Sequence, residues 1–218
     1  QTHENIEIVV VDDASSDDLK AAVRRFGDDP RIRLVEHETN QGASASRNTG
    51  VRAARGDFVA FLDSDDDWLA TKLEKQLNAL RRSNPERAIC LTLVRVQSDR
   101  GLTEIRPKHS KRESVPFGDY LFVEKGFAQT SSFLLSRRLA LATPFRTTLK
   151  QYEDYAFLID LEAKGVDCIL VEEPLTIWRD DDRPGRLGAG YDVARGERFL
   201  QEVGDALTPG ARLAFEVP

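Results

Sequence analysis

Apolar and polar positions alternate along this chain in blocks that first have strand character and then helix character. Ile6-Glu7-Ile8-Val9-Val10-Val11 is a nearly continuous apolar, β-branched run, the pattern of a strand buried in a parallel sheet. It breaks at Asp12-Asp13. Ser15 or Ser16 can then cap a helix whose first turn holds Asp17 and Asp18, whose apolar positions are Leu19, Val23 and Phe26, and which Gly27 stops. Ile32-Arg33-Leu34-Val35 predicts a short second strand. Gly42 precedes a small-residue helix over about 43–54, with Gly56 at its end. Residues 57–62 predict another strand. The stripe Leu69, Leu73, Leu77 and Leu80 predicts a helix that Ser83-Asn84-Pro85 ends. Residues 88–96 are strand-rich, and Ser98-Asp99-Arg100-Gly101 reads as a hairpin turn.

To that point the order is β-α-β-α-β-α-β, which implies an α/β layer on a mostly parallel sheet flanked by helices. The second half is smaller and more mixed. It predicts a strand over 130–135, a helix over 152–164 stopped by Gly165, short strands over 167–171 and 175–178, and a final helix over 193–203. Residues 180–190, rich in Asp, Arg, Gly and Pro, read as a mobile loop. The expected division is one α/β unit over 1–179 and an appendage of loop and helix over 180–218.

Composition narrows the function classes. The chain has 218 residues, 40% hydrophobic and 31% charged, with net charge −6, so it has no excess of basic charge for a nucleic-acid partner. No apolar run approaches the roughly 20 residues that cross a bilayer, and no signal peptide is evident. Cys90 and Cys168 lie far apart in no metal or redox spacing and read as reduced core thiols. The chain lacks methionine altogether and opens almost directly on a strand, so it reads as a processed product or a fragment.

Candidate chemistry sits where strands end. Ligands of open parallel sheets gather at the carboxyl ends of the strands. Here one strand runs into Asp12-Asp13 and another into Asp63-Ser64-Asp65-Asp66-Asp67, which puts both acid clusters on one edge. A single acid there is a turn or a helix cap, and Asp66 and Asp67 fit that simpler role. Several converging carboxylates repel one another unless a cation offsets them. In an extended segment residues i and i+2 point to one side. Asp63 and Asp65 can therefore address one hard Mg²⁺ or Mn²⁺, whose remaining positions go to phosphate oxygens. The helix opened by Gly42 offers amides and a positive dipole end to an anion, with Arg47 one turn in. Glu153-Asp154 opens another helix, where acids are favoured anyway; a carboxylate there can also take a proton from a hydroxyl.

These pieces, in this order, resemble the family 2 glycosyltransferases of the GT-A fold. The resemblance is carried by Glu7–Ser15 (EIVVVDDAS), Asn40–Gly50 (NQGASASRNTG), Gly56–Asp66 (GDFVAFLDSDD) and, more loosely, Glu153-Asp154. It implies a nucleotide-sugar donor, UDP-linked, and a saccharide or lipid-linked acceptor. It implies contact of Asp12 or Asp13 with the base, Arg47 near the nucleotide, Asp63 on ribose or metal, and Asp65 on the divalent metal. Asp154 would be the general base of a single inverting displacement. A cytoplasmic location follows, the inner face of a membrane included. There are two departures from the family pattern. A first strand-helix unit of roughly 30 residues is absent ahead of Gln1-Thr2, which would leave an exposed sheet edge and weaken nucleotide binding. Asp180 to Asp182 stand where many members carry a His after Trp178-Arg179, and Arg183 and Arg186 nearby are candidates to cover the diphosphate. The alternative is a non-catalytic, glycosyltransferase-like binding domain. A phosphatase reading fails on the residues after Asp65, and a calcium loop fails on Trp68 at the position that needs Gly.

Overall fold

The computed structural model describes residues 1–27, 29–98, 101, 103–180 and 192–217. Its helices and strands alternate through the first half: β1 (Ile8–Asp12), α1 (Leu19–Arg24), β2 (Ile32–Glu36), α2 (Ala43–Ala53), β3 (Phe58–Ala60), β4 (Asp67–Trp68), α3 (Lys72–Arg82), β5 (Ala88–Ser98) and β6 (Thr103–Arg106). The second half adds β7 (Leu134–Ser136), α4 (Arg137–Ala142), α5 (Glu153–Ala163), β8 (Asp167–Asp180), α6 (Val193–Val203) and α7 (Pro209–Glu216).

The α/β architecture is as expected, but the main sheet is mixed rather than mostly parallel. β1 and β2 pair in parallel as a two-stranded sheet; the six-stranded sheet runs β3-β7-β5-β8-β4, with β6 on β5. Among the described residues only β5 and β8 pair in parallel in it, while β3–β7, β5–β7, β5–β6 and β4–β8 are antiparallel. β7 enters between β3 and β5 in the opposite direction, and β4 and β6 run antiparallel to β8 and β5. The β7 side chains Leu134 and Leu135 are fully buried, one packed toward each side of the sheet.

Several local expectations shift for identifiable reasons. Asp18, not a serine, caps α1 by accepting from Ala21 N at 2.9 Å. The strand expected over 130–135 begins only at Leu134, because Thr130–Ser132 close a single tight turn. The two short strands expected over 167–178 are one strand, β8. Glu172-Glu173 are a bulge: Val171 pairs with Thr92 and Pro174 with Leu93, so two residues loop out without ending the ladder. α7 was not expected, although Thr208 caps it by accepting from Ala211 N at 3.0 Å and Pro209 stands in its first turn. The expectations for residues 181–191, including Asp181, Asp182, Arg183 and Arg186, lie outside the described residues.

Two apolar clusters flank the main sheet. The larger is rich in aromatic side chains: Phe145 and Phe157 stack at 4.1 Å between centroids, and Phe61 and Phe133 pack on Phe157. Phe199 of α6 and Phe215 of α7 belong to this same cluster. Among the described residues no helix is long and apolar enough to cross a membrane. Cys90 and Cys168 are free thiols on neighbouring strands.

The smaller cluster, under α3, contains an unusual tenant. Lys72 is wholly buried, its Nζ donating to Gln76 Oε1 at 2.7 Å and sitting 4.1 Å from the centre of the Trp68 ring. Burial pulls its pKa down to about 7. The unfolded chain therefore holds this proton up to about pH 10, whereas the folded chain releases it near neutrality. Between those limits the unfolded state binds more protons, so Lys72 makes stability rise with pH. Lys72→Met is expected to stabilise the fold more at pH 6.5 than at pH 9. Urea melts of both proteins at the two pH values test this, and an equal effect at both would show that Lys72 is not desolvated.

Candidate active site

The two acid clusters do not share a sheet edge as expected, because β1 belongs to the two-stranded sheet and β3 to the six-stranded one; α2, which follows β2 and precedes β3, links them instead. At its head, Asp13 is a hub rather than an open ligand. Its carboxylate accepts from Gly42 N at 2.7 Å, Gln41 N at 2.9 Å and His37 Nδ1 at 2.7 Å, and His37 Nε2 meets Thr49 Oγ1 at 3.0 Å. Burial pushes the Asp13 carboxyl up, but His37 and the two amides outweigh it and hold its pKa below the ordinary value. The positive end of α2 thus already carries an anion, the chain's own. Gly42 has φ +92°, a backbone conformation that side chains bearing Cβ rarely adopt, so the position favours glycine. Asp12 is less engaged: it accepts from Ser15 N at 2.9 Å, and that amide lowers its pKa.

One turn into α2, Arg47 reaches across the site. Its Nη2 donates to Asp63 Oδ1 at 2.8 Å and its Nη1 to Glu153 Oε1 at 2.9 Å. The guanidinium also lies 5.3 Å from the centre of the Phe145 ring. Burial by itself would disfavour its charge, but the Asp63 and Glu153 carboxylates more than compensate and push its pKa up. This bridge joins residues 106 positions apart and brings the acidic run beside the start of α5. Asp154 follows directly. Desolvation pushes its carboxyl well above the ordinary range, the Glu153 charge adds to the effect, and Arg47 opposes it.

The acidic run divides by side-chain direction. Asp66 turns inward, is buried, and accepts from Gln129 Nε2 at 2.5 Å and Ser131 Oγ at 2.6 Å. Burial raises its pKa to about 6. Asp67 pairs with Arg179. Asp63 keeps a half-buried carboxylate whose Oδ1 meets Arg47, and Asp65 is likewise half-buried. The backbone N–H of Asp63 donates to Ser131 Oγ at 2.9 Å, so one hydroxyl ties Asp63 to Asp66.

Among the described residues no three His, Cys, Asp or Glu side chains form a metal cage. The extended Asp63-Ser64-Asp65 segment expected from sequence is not formed: Asp66 N donates to the Asp63 carbonyl at 3.1 Å and closes a turn through Ser64 and Asp65, so the i, i+2 argument for one shared ligand does not apply. A hard Mg²⁺ or Mn²⁺ takes one or two carboxylates and fills its other positions with phosphate oxygens, so Asp65 and Asp63 are the residues that could hold one. Sequence reasoning did not assign Glu153, Gln129 or Ser131. Glu153 stood in a recognised pair, but Gln129 and Ser131 had no legible signal, because only the turn at Thr130–Ser132 aims them at the run.

Known proteins share this chain's sequence pattern and fold. The family model described as "Glycosyl transferase family 2" matches residues 1–141. The chain belongs to that family, and its fold is that of the GT-A glycosyltransferases. It is 30% identical over 200 residues, 88% of this chain and 66% of the relative, to the amylovoran biosynthesis glycosyltransferase AmsB of Erwinia amylovora. It is 46% identical over 84 residues to the UDP-Glc:α-D-GlcNAc-diphosphoundecaprenol β-1,3-glucosyltransferase WfgD of Escherichia coli, covering 38% of this chain and 33% of the relative. The chain thus spans between a third and two thirds of the length of these relatives. Among solved structures, S. aureus TarS 1–349 in complex with UDP-GlcNAc matches with TM-score 0.70 at 20% identity, covering 91% of this chain and 57% of that one. Mannosyltransferase PcManGT from Pyrobaculum calidifontis, in complex with GDP-Man and Mn²⁺, matches with TM-score 0.59 at 21% identity, over 96% and 59% of the two chains.

Replacing Arg47 leaves two carboxylates facing each other in a half-buried space. Arg47→Met is expected to cost about 3 kcal/mol of stability, at the low end for breaking a buried pair because Asp63 is partly solvated. Arg47→Lys is expected to recover less than half, since an ammonium lacks the fork that spans both partners. Urea denaturation measures both, and a neutral Arg47→Met would remove the bridge from any structural role.

Proposed function

We propose that this chain is the donor-binding part of an inverting glycosyltransferase that moves a sugar from a nucleotide-sugar, UDP-linked, to a hydroxyl of a saccharide or lipid-linked acceptor. The single observation that carries this reading is the Arg47 bridge: it brings the acidic run beside the Glu153-Asp154 turn. Asp12, the less engaged of the first pair, is the better contact for the base. Asp13 serves it indirectly by fixing the head of α2. Asp65, helped by Asp63, would hold Mg²⁺ or Mn²⁺. That cation, when bound, neutralises charge on the departing diphosphate.

Asp154 is the proposed general base. It must be ionised to accept the acceptor's proton, and its raised pKa brings its basicity nearer that task. The incoming oxygen then attacks the anomeric carbon as the bond to the diphosphate breaks, in one displacement. Arg47 adds a fixed positive charge near the nucleotide. The names of the relatives support UDP-sugars and a diphosphate-lipid acceptor as the first to test, and such an acceptor would place the protein at the inner face of a membrane, in the cytoplasm.

Binding comes first. UDP with Mn²⁺ is expected to raise the melting temperature, and Asp65→Asn to abolish the part that needs Mn²⁺. No shift with any nucleoside diphosphate favours the non-catalytic binding domain; a full Mn²⁺-dependent shift in Asp65→Asn refutes the metal assignment. For turnover, release of UDP from UDP-glucose or UDP-N-acetylglucosamine is the readout. Asp154→Asn is expected to bind UDP normally but turn over at least about a hundredfold more slowly. In the wild-type protein the rate should fall as pH drops through an apparent pKa above the ordinary carboxylate range, because protonation removes the base. Turnover that persists in Asp154→Asn refutes the base assignment.

A further inference from the structure

The turn that presents Glu153 and Asp154 is built on an awkward residue. Tyr152, the residue before α5, has φ +64° and ψ +16°, the left-handed region, in which a side chain bearing Cβ costs on the order of 1 kcal/mol. No side chain caps the helix at this position, although the Tyr152 carbonyl accepts from Ala156 N at 2.9 Å. Glycine is the ordinary solution to such a conformation. Here a large aromatic residue occupies it.

The ring accounts for this. It packs edge-on against Phe199 of α6 at 5.6 Å and Phe215 of α7 at 5.2 Å, and lies 6.1 Å from Tyr155. Phe199 is completely buried, and Phe199 and Phe215 contact each other at 4.9 Å. The lead-in to the turn is tied to α6 as well. Arg146 donates to the Glu202 carbonyl at 2.6 Å, and Thr148 Oγ1 to the Glu202 carboxylate at 2.7 Å. On its other side the same segment is pinned to α2, where Asn48 exchanges two hydrogen bonds with the Phe145 backbone, at 2.8 and 2.9 Å, one residue from Arg47.

Resting on the function proposed above, we propose that Tyr152 is a positioning residue: gripped by α6 and α7, its ring holds the left-handed turn that sends Glu153 to Arg47 and sets Asp154 beside the acceptor hydroxyl. The C-terminal helices are thereby part of the transfer machinery, although they lie beyond the stretch matched to the family. The energy that holds the strained backbone comes from aromatic burial more than 40 residues downstream in the chain.

The test compares the wild-type chain with Tyr152→Phe, which keeps the ring, and Tyr152→Ala, which removes it. UDP release from UDP-glucose or UDP-N-acetylglucosamine with Mn²⁺ gives kcat and donor KM. Amide hydrogen exchange reports the turn without reference to activity. Tyr152→Phe is expected to stay within about twofold of wild type. Tyr152→Ala is expected to lose about tenfold or more in kcat at a donor KM changed by less than about twofold, the mark of a misplaced reacting group. Exchange at 153–156 should quicken about tenfold while β5 keeps its protection. Should Tyr152→Ala fold poorly, Tyr152→Leu, with apolar volume but no ring, is expected to show the same split. Unchanged kcat in the Ala or Leu variant, or a loss matched by faster exchange throughout β5, overturns the proposal while leaving the reading of the site intact. A wild-type chain that releases no UDP but whose turn still depends on the ring overturns the reading of the site, and the catalytic part of this proposal with it.

Discussion

A guanidinium held between two carboxylates is the constraint around which this molecule is arranged. Asp63 lies three residues past the end of β3, Glu153 begins a helix far along the chain, and neither carboxylate tolerates the other at close range without a cation between them. Arg47 suits the task because its planar fork addresses two acceptors at once and its charge survives desolvation. α2 must then lie where Arg47 can span the gap. Its head is fixed by Asp13, and its middle by Asn48 on the Phe145 backbone.

The support behind that bridge is uneven in kind. On the strand side it is polar: Ser131 and Gln129 hold Asp66 inward and steady the backbone of Asp63. On the helix side it is aromatic, with Phe145 stacked on Phe157 and the rings of α6 and α7 closing on Tyr152. The polar side keeps like-charged groups apart by giving each its own partners. The aromatic side fixes a backbone conformation that the local sequence disfavours. A site that gathers several carboxylates needs both.

Much of this was legible in the chain. The strand end at Asp12, the small-residue helix carrying Arg47, and the Glu153-Asp154 turn were all marked by pattern, because period and end signals are local properties, whereas the strand expected over 57–62 is only Phe58–Ala60. Less legible was which acid does what. Asp12 and Asp13 are neighbours with the same chemistry, yet three donors engage the Asp13 carboxylate and leave Asp12 more open. The thirteen-residue acidic and aromatic stretch from Phe61 to Leu73 gave no hint that Asp66 would be buried on a glutamine and a serine more than 60 positions away.

The sequence by itself determined the α/β order, the family resemblance and the positions of the acid clusters, since each depends on spacing within a few turns of chain. Only the tertiary structure decided the mixed sheet, the merging of two strands into β8 around a bulge, the inward turn of Asp66 and the Arg47 bridge. These depend on partners that meet only after distant segments pack, and strand direction and side-chain pairing are set by that packing rather than by local preference. The acid clusters were visible in the one-dimensional pattern; their division into bridge, support and candidate ligand was not.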